Sequence, residues 1–257
     1  PQILEVAEGT ALFERKQYDL LIAVGGGSPL DVAKGIRFSA YQKDPVLDVL
    51  TGKVSVKQVS RTPFLAIPTT AGSGSEATQY AVLYHEKQKY TTADPSLLPE
   101  YVYLDGSLTL TLSKYITAYT GIDALTQGIE AYWAVNATDE AQNYAEKAIT
   151  LSLKHLLDSV NHGKVIDRTK MLEAAYYSGK AINITKTTAA HAFSYYLSTH
   201  HGIPHGQSVG LLVIPCLLFN EGVTEQDVSD PRGIEYVRKM LQKLYKLFGE
   251  HHAQGTA

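Results

Sequence analysis

The sequence predicts two domains: an α/β fold built on a parallel sheet to about residue 112, and an all-helical domain from 113 onward. Three observations predict it. In the first half, short apolar runs ending in Gly, Ser and Thr alternate with segments of helical period. Strand signals then stop near residue 113. Beyond that point five helix-length segments follow one another with almost no strand signal between them.

Taken in order, "ILEVAEGTALFERKQ" is amphipathic at helical spacing, and "DLLIAVGGGS" is a short buried strand ending in glycines. "PLDVAKGIRFSAYQ" opens a helix with Pro and Asp31 in its first turn. "PFLAIPTTAGSGSEAT" repeats the design: apolar strand, polar loop and a further helix. "QYAVLYHEKQKYTTAD" reads as a hairpin and "YVYLD" as a last short strand. "SKYITAYTGIDALTQGIEAYWA", "DEAQNYAEKAITLSLKHLLDSV", "DRTKMLEAAYYSGKAINI", "QSVGLLVIPCLLFN" and "GIEYVRKMLQKLYKLFGE" are the helical segments. A sheet of this kind should have a strand before "ILEVAEG", and a helical domain need not stop at "HHAQGTA". Residues beyond both ends are therefore expected.

With 257 residues, 44% apolar and 19% charged, the chain can bury one sizeable core or two. A formal charge of −3 supplies no basic field for nucleic acid or a membrane surface. No run of 18 apolar residues occurs and no leader pattern opens the chain, so a soluble, untargeted, cytoplasmic protein is expected. The single cysteine, Cys216, excludes an intrachain disulfide, fits a reducing compartment, and sits in the apolar run "LLVIPCLLFN" as a core residue.

"AVGGGSPLDVAK" places Gly25, Gly26, Gly27 and Ser28 between a strand and a helix N-terminus. Glycine lets backbone approach an anion, and the helix end offers free N–H groups and the positive end of its dipole. Alone, the stretch reads equally as a tight turn. The second loop, "IPTTAGSGSE", adds the hydroxyls of Thr69, Thr70, Ser73 and Ser75. Two such loops at strand ends mark the crevice where a Rossmann-like sheet binds a nucleotide.

In "GIDALTQGIEAYW", Asp123, Gln127 and Glu130 fall at i, i+4 and i+7, on one helix face. "HAFSYYLSTHHGIPHG" carries His191 and His205 fourteen residues apart. A helix over 191–199 covers roughly 12 Å, and an extended return over 199–205 reaches about 20 Å, so the two imidazoles can meet. Asp123 with these two histidines is a set that suits Zn²⁺ or Fe²⁺. On spacing alone the metal stays open, because Asp123 equally suits a first helical turn and a solitary His is commonly a core or surface residue.

"GGGSPLDVAK", "IPTTAGSGSEAT", "LDGSLT", "TGIDALTQGIEAYW" and "HAFSYYLSTHHGIPHG", in that order, resemble the iron-dependent (group III) alcohol dehydrogenases. The resemblance covers most of the chain. It implies an N-terminal dinucleotide-binding domain and a C-terminal helical domain, with NAD(P) and a divalent metal, Fe²⁺ or Zn²⁺, in the cleft between. It implies Asp123, Gln127, His191 and His205 as the metal positions. Gly25, Gly26, Gly27 and Ser28 fall at the pyrophosphate, with Asp31 shaping the loop. Thr69, Thr70 and Ser73 fall on the nicotinamide side, and Lys89 at a cofactor contact. NAD and NADP are not distinguished.

Two departures stand out. The family's second ligand is usually His, and Gln127 is a harder, weaker donor that either ligates or holds a water. A further His four residues after the first ligand is replaced by Tyr195, so a proton relay has to be rebuilt from Tyr195, His200, His201, ribose hydroxyls or water. "DALTQGIEAYWAVNAT" and "GKAINITKTTAAHAFSY" look like one branch, the phosphonoacetaldehyde reductases, which make 2-hydroxyethylphosphonate. In "NITKTT", Lys186 with Thr185, Thr187 and Thr188 suits an oxyanion clamp, and equally a capped, solvated helix start. The expected partner is a small aldehyde or alcohol, with no nucleic acid and no membrane, and the expected assembly is a homodimer. Alternatives are a general short-chain alcohol dehydrogenase of the same family and a non-catalytic nucleotide-binding relative whose metal site decayed through Gln127. The related 3-dehydroquinate synthases also use NAD and a metal, but their metal site includes a Glu and their loops differ from "TTAGSGSEAT".

Overall fold

The structure, a computed structural model, describes residues 1–254 apart from Lys57 and Lys87. The chain forms two units. One comprises Pro1–Thr70 and Ser75–Asp105, and the other Ala71–Gly74 together with Gly106 onward.

In the first unit, strands β1 (Leu21–Gly25), β2 (Phe64–Pro68) and β5 (Tyr101–Val102) form a parallel sheet in the order β1-β2-β5. Leu21 pairs with Phe64 and Gly25 with Pro68, so both strands end level and their following loops emerge side by side. Helices α1 (Ile3–Phe13), α2 (Gly27–Ser39) and the short α3 (Val46–Leu50), which the sequence pattern did not reveal, complete the layer. The α2 residues Leu30 and Ala33 bury against Ala23, Phe64 and Ala66 of the strands. Val6, Phe38, Val49, Leu50 and Leu83 form a second apolar cluster. The expected hairpin is β3 (Tyr80–His85) against β4 (Gln88–Ala93), antiparallel.

The helix expected after "TTAGSGSE" is only a single 3-10 turn, Ser75–Ala77. Its carbonyls are used elsewhere. The fully buried Lys34 of α2 donates from Nζ to the carbonyls of Ser75 (2.5 Å), Thr78 (2.8 Å) and Tyr80 (2.8 Å), and to Thr78 Oγ1 (3.1 Å). The ammonium ties these three backbone oxygens to α2, and the Ser75 carbonyl also accepts the Thr78 N–H (3.2 Å), closing the single 3-10 turn.

In the second unit, α4 (Lys114–Trp133), α5 (Asp139–Asn161), α6 (Val165–Thr185), α7 (Ala189–His201), α8 (His205–Glu221) and α9 (Ile234–Gln254) pack around a common core. Ser113 caps α4 by accepting from the Ile116 N–H (3.2 Å), and Thr138 caps α5 by accepting from Ala141 (3.2 Å). Ile129, Trp133, Ile149, Ile182, Val209, Val213, Leu241 and Leu244 fill the core, and Cys216 packs on its edge. The unit begins at Gly106, earlier than the loss of strand signal suggests. The Gly106 N–H donates to Thr169 Oγ1 (3.2 Å), and a Cβ there would lie 2.4 Å from that oxygen, so this turn is tied to α6. Among the described residues no helix is long and apolar enough to cross a membrane.

The return from α7 is not extended. Gly202 stops α7 in the left-handed region (φ 65°), Pro204 follows with φ −52°, and α8 starts at His205 itself. The Ser208 N–H closes the first turn onto the Pro204 carbonyl (2.9 Å). His191 near the start of α7 and His205 at the start of α8 are thus brought together by a helix–turn–helix corner.

Candidate functional site

Within the first unit, β1 runs into α2 through Gly26, which stands immediately before the helix. The N–H groups of the first helical turn have no partner within the helix. Gly25, Gly26 and Gly27 are half-buried and Ser28 is exposed, so these donors are open to a ligand. The second loop lies against the first. The Thr69 N–H donates to the Gly25 carbonyl (2.9 Å), and a Cβ on Gly26 would stand 3.1 Å from Thr70 Oγ1. Asp31 follows one turn further along α2. Its carboxylate accepts from Ser75 Oγ (2.6 Å) and from the Val82 N–H (3.0 Å), which fixes the second loop to α2.

Burial dominates the electrostatics beneath these loops. It pushes the Lys34 ammonium down to about 8 against the attraction of Asp31 and Glu76. It raises Glu76, whose Oε1 has no hydrogen-bond partner, to about 7. Burial likewise lowers Lys89 to about 8, opposed by Asp31.

Within the second unit, three helices each supply one group to a single point. Asp123 of α4 and His191 of α7 are 6% and 3% exposed, and His205 at the head of α8 is half-buried. His191 Nε2 lies 3.3 Å from Asp123 Oδ1, and His205 Nε2 lies 3.8 Å from the same oxygen. All three donor atoms fall within 4.8 Å of one another. A tetrahedral ion bound at about 2.1 Å needs donors roughly 3.4 Å apart. One carboxylate oxygen and two imidazole nitrogens at these separations fit a divalent transition metal.

Asp123 is buried, which alone would raise its carboxyl. The hydrogen bond from His191 and the charges of His205 and His191 outweigh burial and hold it below the ordinary range. Burial would likewise lower His191, but its hydrogen bonds to Asp123 and Glu130 carry it up to about 9.

Gln127 lies one turn after Asp123 on α4 and helps lower its carboxyl. Its Nε2 donates to the Ser73 carbonyl (3.3 Å) and its Oε1 accepts from Ser178 Oγ (2.9 Å). The amide thus ties α4 to the Ala71–Gly74 segment and to α6. Ser73, expected on the nicotinamide side, is part of this contact. Tyr195 stacks on His205, with ring centroids 5.9 Å apart and planes 3° apart. The His201 ring packs instead on Tyr196 at 5.6 Å.

The Lys186–Thr188 stretch sits directly before α7, and its members differ. Lys186 is exposed, with φ 64° and ψ 178°. Thr187 is half-buried. The hydroxyl of Thr188 is used internally: it donates to Glu130 Oε1 (2.5 Å) and accepts from Trp133 Nε1 (3.1 Å). Of these three residues, Thr188 is the one whose hydroxyl is held by Glu130 and Trp133.

Sequence reasoning placed Glu130 on the helix face of Asp123 but gave it no task. In the structure it is fully buried and its Oε2 meets His191 Nδ1, opposite the metal-facing nitrogen. Its three-residue offset from Gln127 was the available signal. The partner on α7 was not legible, because it depends on how α4 and α7 cross.

Residues 1–106 match the iron-containing alcohol dehydrogenase family, and residues 117–250 match the C-terminal region of that family. Phosphonoacetaldehyde reductase of Streptomyces viridochromogenes is 34% identical over 235 residues, covering 88% of this chain and 59% of that protein. The probable alcohol dehydrogenase EutG of Escherichia coli is 36% identical over 232 residues, covering 89% and 58%. The chain thus spans about three-fifths of the length of these curated relatives. Among solved structures, the sulfoacetaldehyde reductase of Bifidobacterium kashiwanohense in complex with NAD⁺ superposes with a TM-score of 0.82 at 29% identity, covering 97% of this chain and 68% of that one. An iron-containing alcohol dehydrogenase of Thermotoga maritima gives 0.78 at 30% identity, covering 98% and 68%.

Proposed function

This chain belongs to the iron-containing alcohol dehydrogenase family, and from that premise we propose that it carries the machinery of a metal- and NAD(P)-dependent aldehyde reductase. The reaction converts an aldehyde, NAD(P)H and a proton into the alcohol and NAD(P)⁺. The observation that carries this reading is the convergence of Asp123, His191 and His205, from three different helices, on one point. When bound there, a divalent ion supplies Lewis acidity to a carbonyl oxygen and the nicotinamide supplies the hydride.

The chain's own residues do the rest. Asp123, His191 and His205 hold the ion, and Gln127 and Glu130 hold two of those ligands. The N–H groups around Gly26, Gly27 and Ser28 bind the pyrophosphate, with Thr69, Thr70 and Lys89 as neighbouring contacts. Tyr195, stacked on His205, offers a phenol beside the metal ligands that can pass a proton outward.

Gly26→Val tests the loop separately from the metal. Its Cβ would press on Thr70 Oγ1 at 3.1 Å and cover the donors of the first α2 turn. NADH affinity should collapse in a fluorescence titration, with metal content unaltered. A titration matching the wild type would reject the loop as the cofactor site.

The substrate we propose is a short aldehyde carrying a tetrahedral oxyanion on the adjacent carbon, such as phosphonoacetaldehyde. Two similar proteins are named for aldehydes of this kind, a phosphonate and a sulfonate. The backbone of Lys186 adds support. Its φ and ψ lie in a region suited to glycine, at a cost of about 1–3 kcal/mol for other residues. That strained backbone turns an exposed ammonium out directly before α7.

The test is kcat/KM for phosphonoacetaldehyde and for propanal, in wild type and Lys186→Met. A charge-assisted contact contributes about 1.5–3 kcal/mol, or roughly ten- to a hundredfold in kcat/KM. The wild type should prefer the phosphonate by that factor, and Lys186→Met should erase most of the preference. Equal values in the wild type would leave a general alcohol dehydrogenase. No NADH oxidation with either aldehyde would leave a nucleotide-binding relative without catalysis.

A further inference from the structure

We propose that Glu130 is a positioning residue that fixes the tautomer of His191, and so decides whether that imidazole can bind a metal at all. The proposal rests on the reading of Asp123, His191 and His205 as ligands. Glu130 divides its two oxygens between two tasks. Oε1 accepts from the Thr188 N–H (3.0 Å), Thr188 Oγ1 (2.5 Å), the Ala190 N–H (3.0 Å) and the His191 N–H (3.4 Å). These are the orphan donors at the start of α7, so the carboxylate caps that helix from a neighbouring one. Oε2 faces His191 Nδ1.

A carboxylate can only accept. Opposite it, Nδ1 must carry its proton, which leaves the lone pair of a neutral ring on Nε2, the nitrogen turned to Asp123 and the metal point. Because the same carboxylate holds the first turn of α7, the ring's tautomer and its position are set by one group.

The four donors on Oε1 make the consequence of Glu130→Gln unambiguous. The amide oxygen has to occupy the Oε1 position, because an NH₂ there would face four hydrogens. The NH₂ is then forced to the Oε2 position, where it donates to Nδ1. The neutral ring must carry its proton on Nε2, and the metal-facing lone pair is lost. The substitution is isosteric and keeps the acceptor at the helix cap; it removes one negative charge and moves the His191 proton, and the ¹⁵N shifts read the second effect separately from the first.

The experiment uses the purified chain and Zn²⁺. Chelator competition gives the Zn²⁺ affinity of wild type and Glu130→Gln, thermal melting of the metal-free proteins gives their fold, and ¹⁵N imidazole shifts give the His191 tautomer. We expect a roughly 10- to 100-fold weaker affinity in Glu130→Gln, typical of losing a ligand's orienting partner, with a metal-free melting temperature close to wild type. The Zn²⁺-loaded wild type should show His191 protonated at Nδ1. A wild type that takes up no Zn²⁺ refutes the ligand assignment itself. A wild type that binds Zn²⁺ through His191 Nδ1, or a folded Glu130→Gln with undiminished affinity, overturns the Glu130 proposal alone. If Glu130→Gln does not fold, the wild-type tautomer still decides.

Discussion

Alanine at Gly206 is expected to force α8 away from α4 and to empty the metal site. Gly206 is the second residue of α8, directly after His205. A Cβ built there would lie 1.9 Å from the Tyr119 carbonyl oxygen, 2.8 Å from its carbon and 3.1 Å from Asp123 Cβ. The obstacle is α4 backbone, which cannot swing aside as a side chain can. Restoring an ordinary contact of about 3.4 Å means displacing the head of α8 by more than ~1 Å. His205 Nε2 already stands 3.8 Å from Asp123 Oδ1, near the limit for sharing an ion, so that displacement breaks the donor set. Overpacking of this kind costs about 1–3 kcal/mol, and more where backbone is the obstacle. The observables are a melting temperature lowered by several degrees and loss of bound Zn²⁺ or Fe²⁺ by elemental analysis. A Gly206→Ala protein that melts like wild type and keeps one metal per chain would show that the α4–α8 approach does not govern the site.

His205→Ala should abolish metal binding and turnover while leaving the metal-free fold almost untouched. The His205 side chain is 41% exposed, so its truncation removes little packing. Its Nε2 is one of only two nitrogen donors in the cluster. The remaining Asp123–His191 pair offers two points of attachment, too few for a closed or catalytic zinc or iron site. Elemental analysis should find less than stoichiometric metal, NADH oxidation with any aldehyde should fall to background, and melting of the metal-free variant should match the metal-free wild type. Full metal content together with undiminished turnover would remove His205 from the ligand set. This result is separable from that of Gly206→Ala, where the apo fold itself suffers.

Much of the architecture was legible because it is written in local periodicity and punctuation. The apolar run "LLIAVGGG" declared a buried strand and its glycine-lined exit, and the hairpin declared itself by two β-rich runs around a polar turn. The helices of the second unit showed their lengths through spacing and caps such as Ser113 and Thr138. The triad was legible for a different reason. Asp, His and His are residues whose chemistry narrows their uses, and Gly202 with Pro204 marked where the chain must turn.

What could not be read from the chain depends on distances between elements far apart in sequence. Lys34 is a case: as a helical lysine it reads as solvated, yet it is fully buried and binds the carbonyls of Ser75, Thr78 and Tyr80. Thr188 is another. Its position suggests an open hydroxyl, and only the crossing of α4 and α7 shows that Glu130 and Trp133 claim it. Gln127 is a third, for only the packing of α4 on α6 and on the Ala71–Gly74 segment brings its amide to Ser178 and Ser73.

The sequence by itself therefore determined the main strands and the long helices, the glycine turn before α2, and the three groups able to share an ion, but neither α3 nor the single turn at Ser75–Ala77. Tertiary structure alone decided which buried polar atoms serve those groups. A hydrogen bond inside the protein requires its partner within about 3 Å, and that proximity arises from the packing of helices, a property no single segment carries.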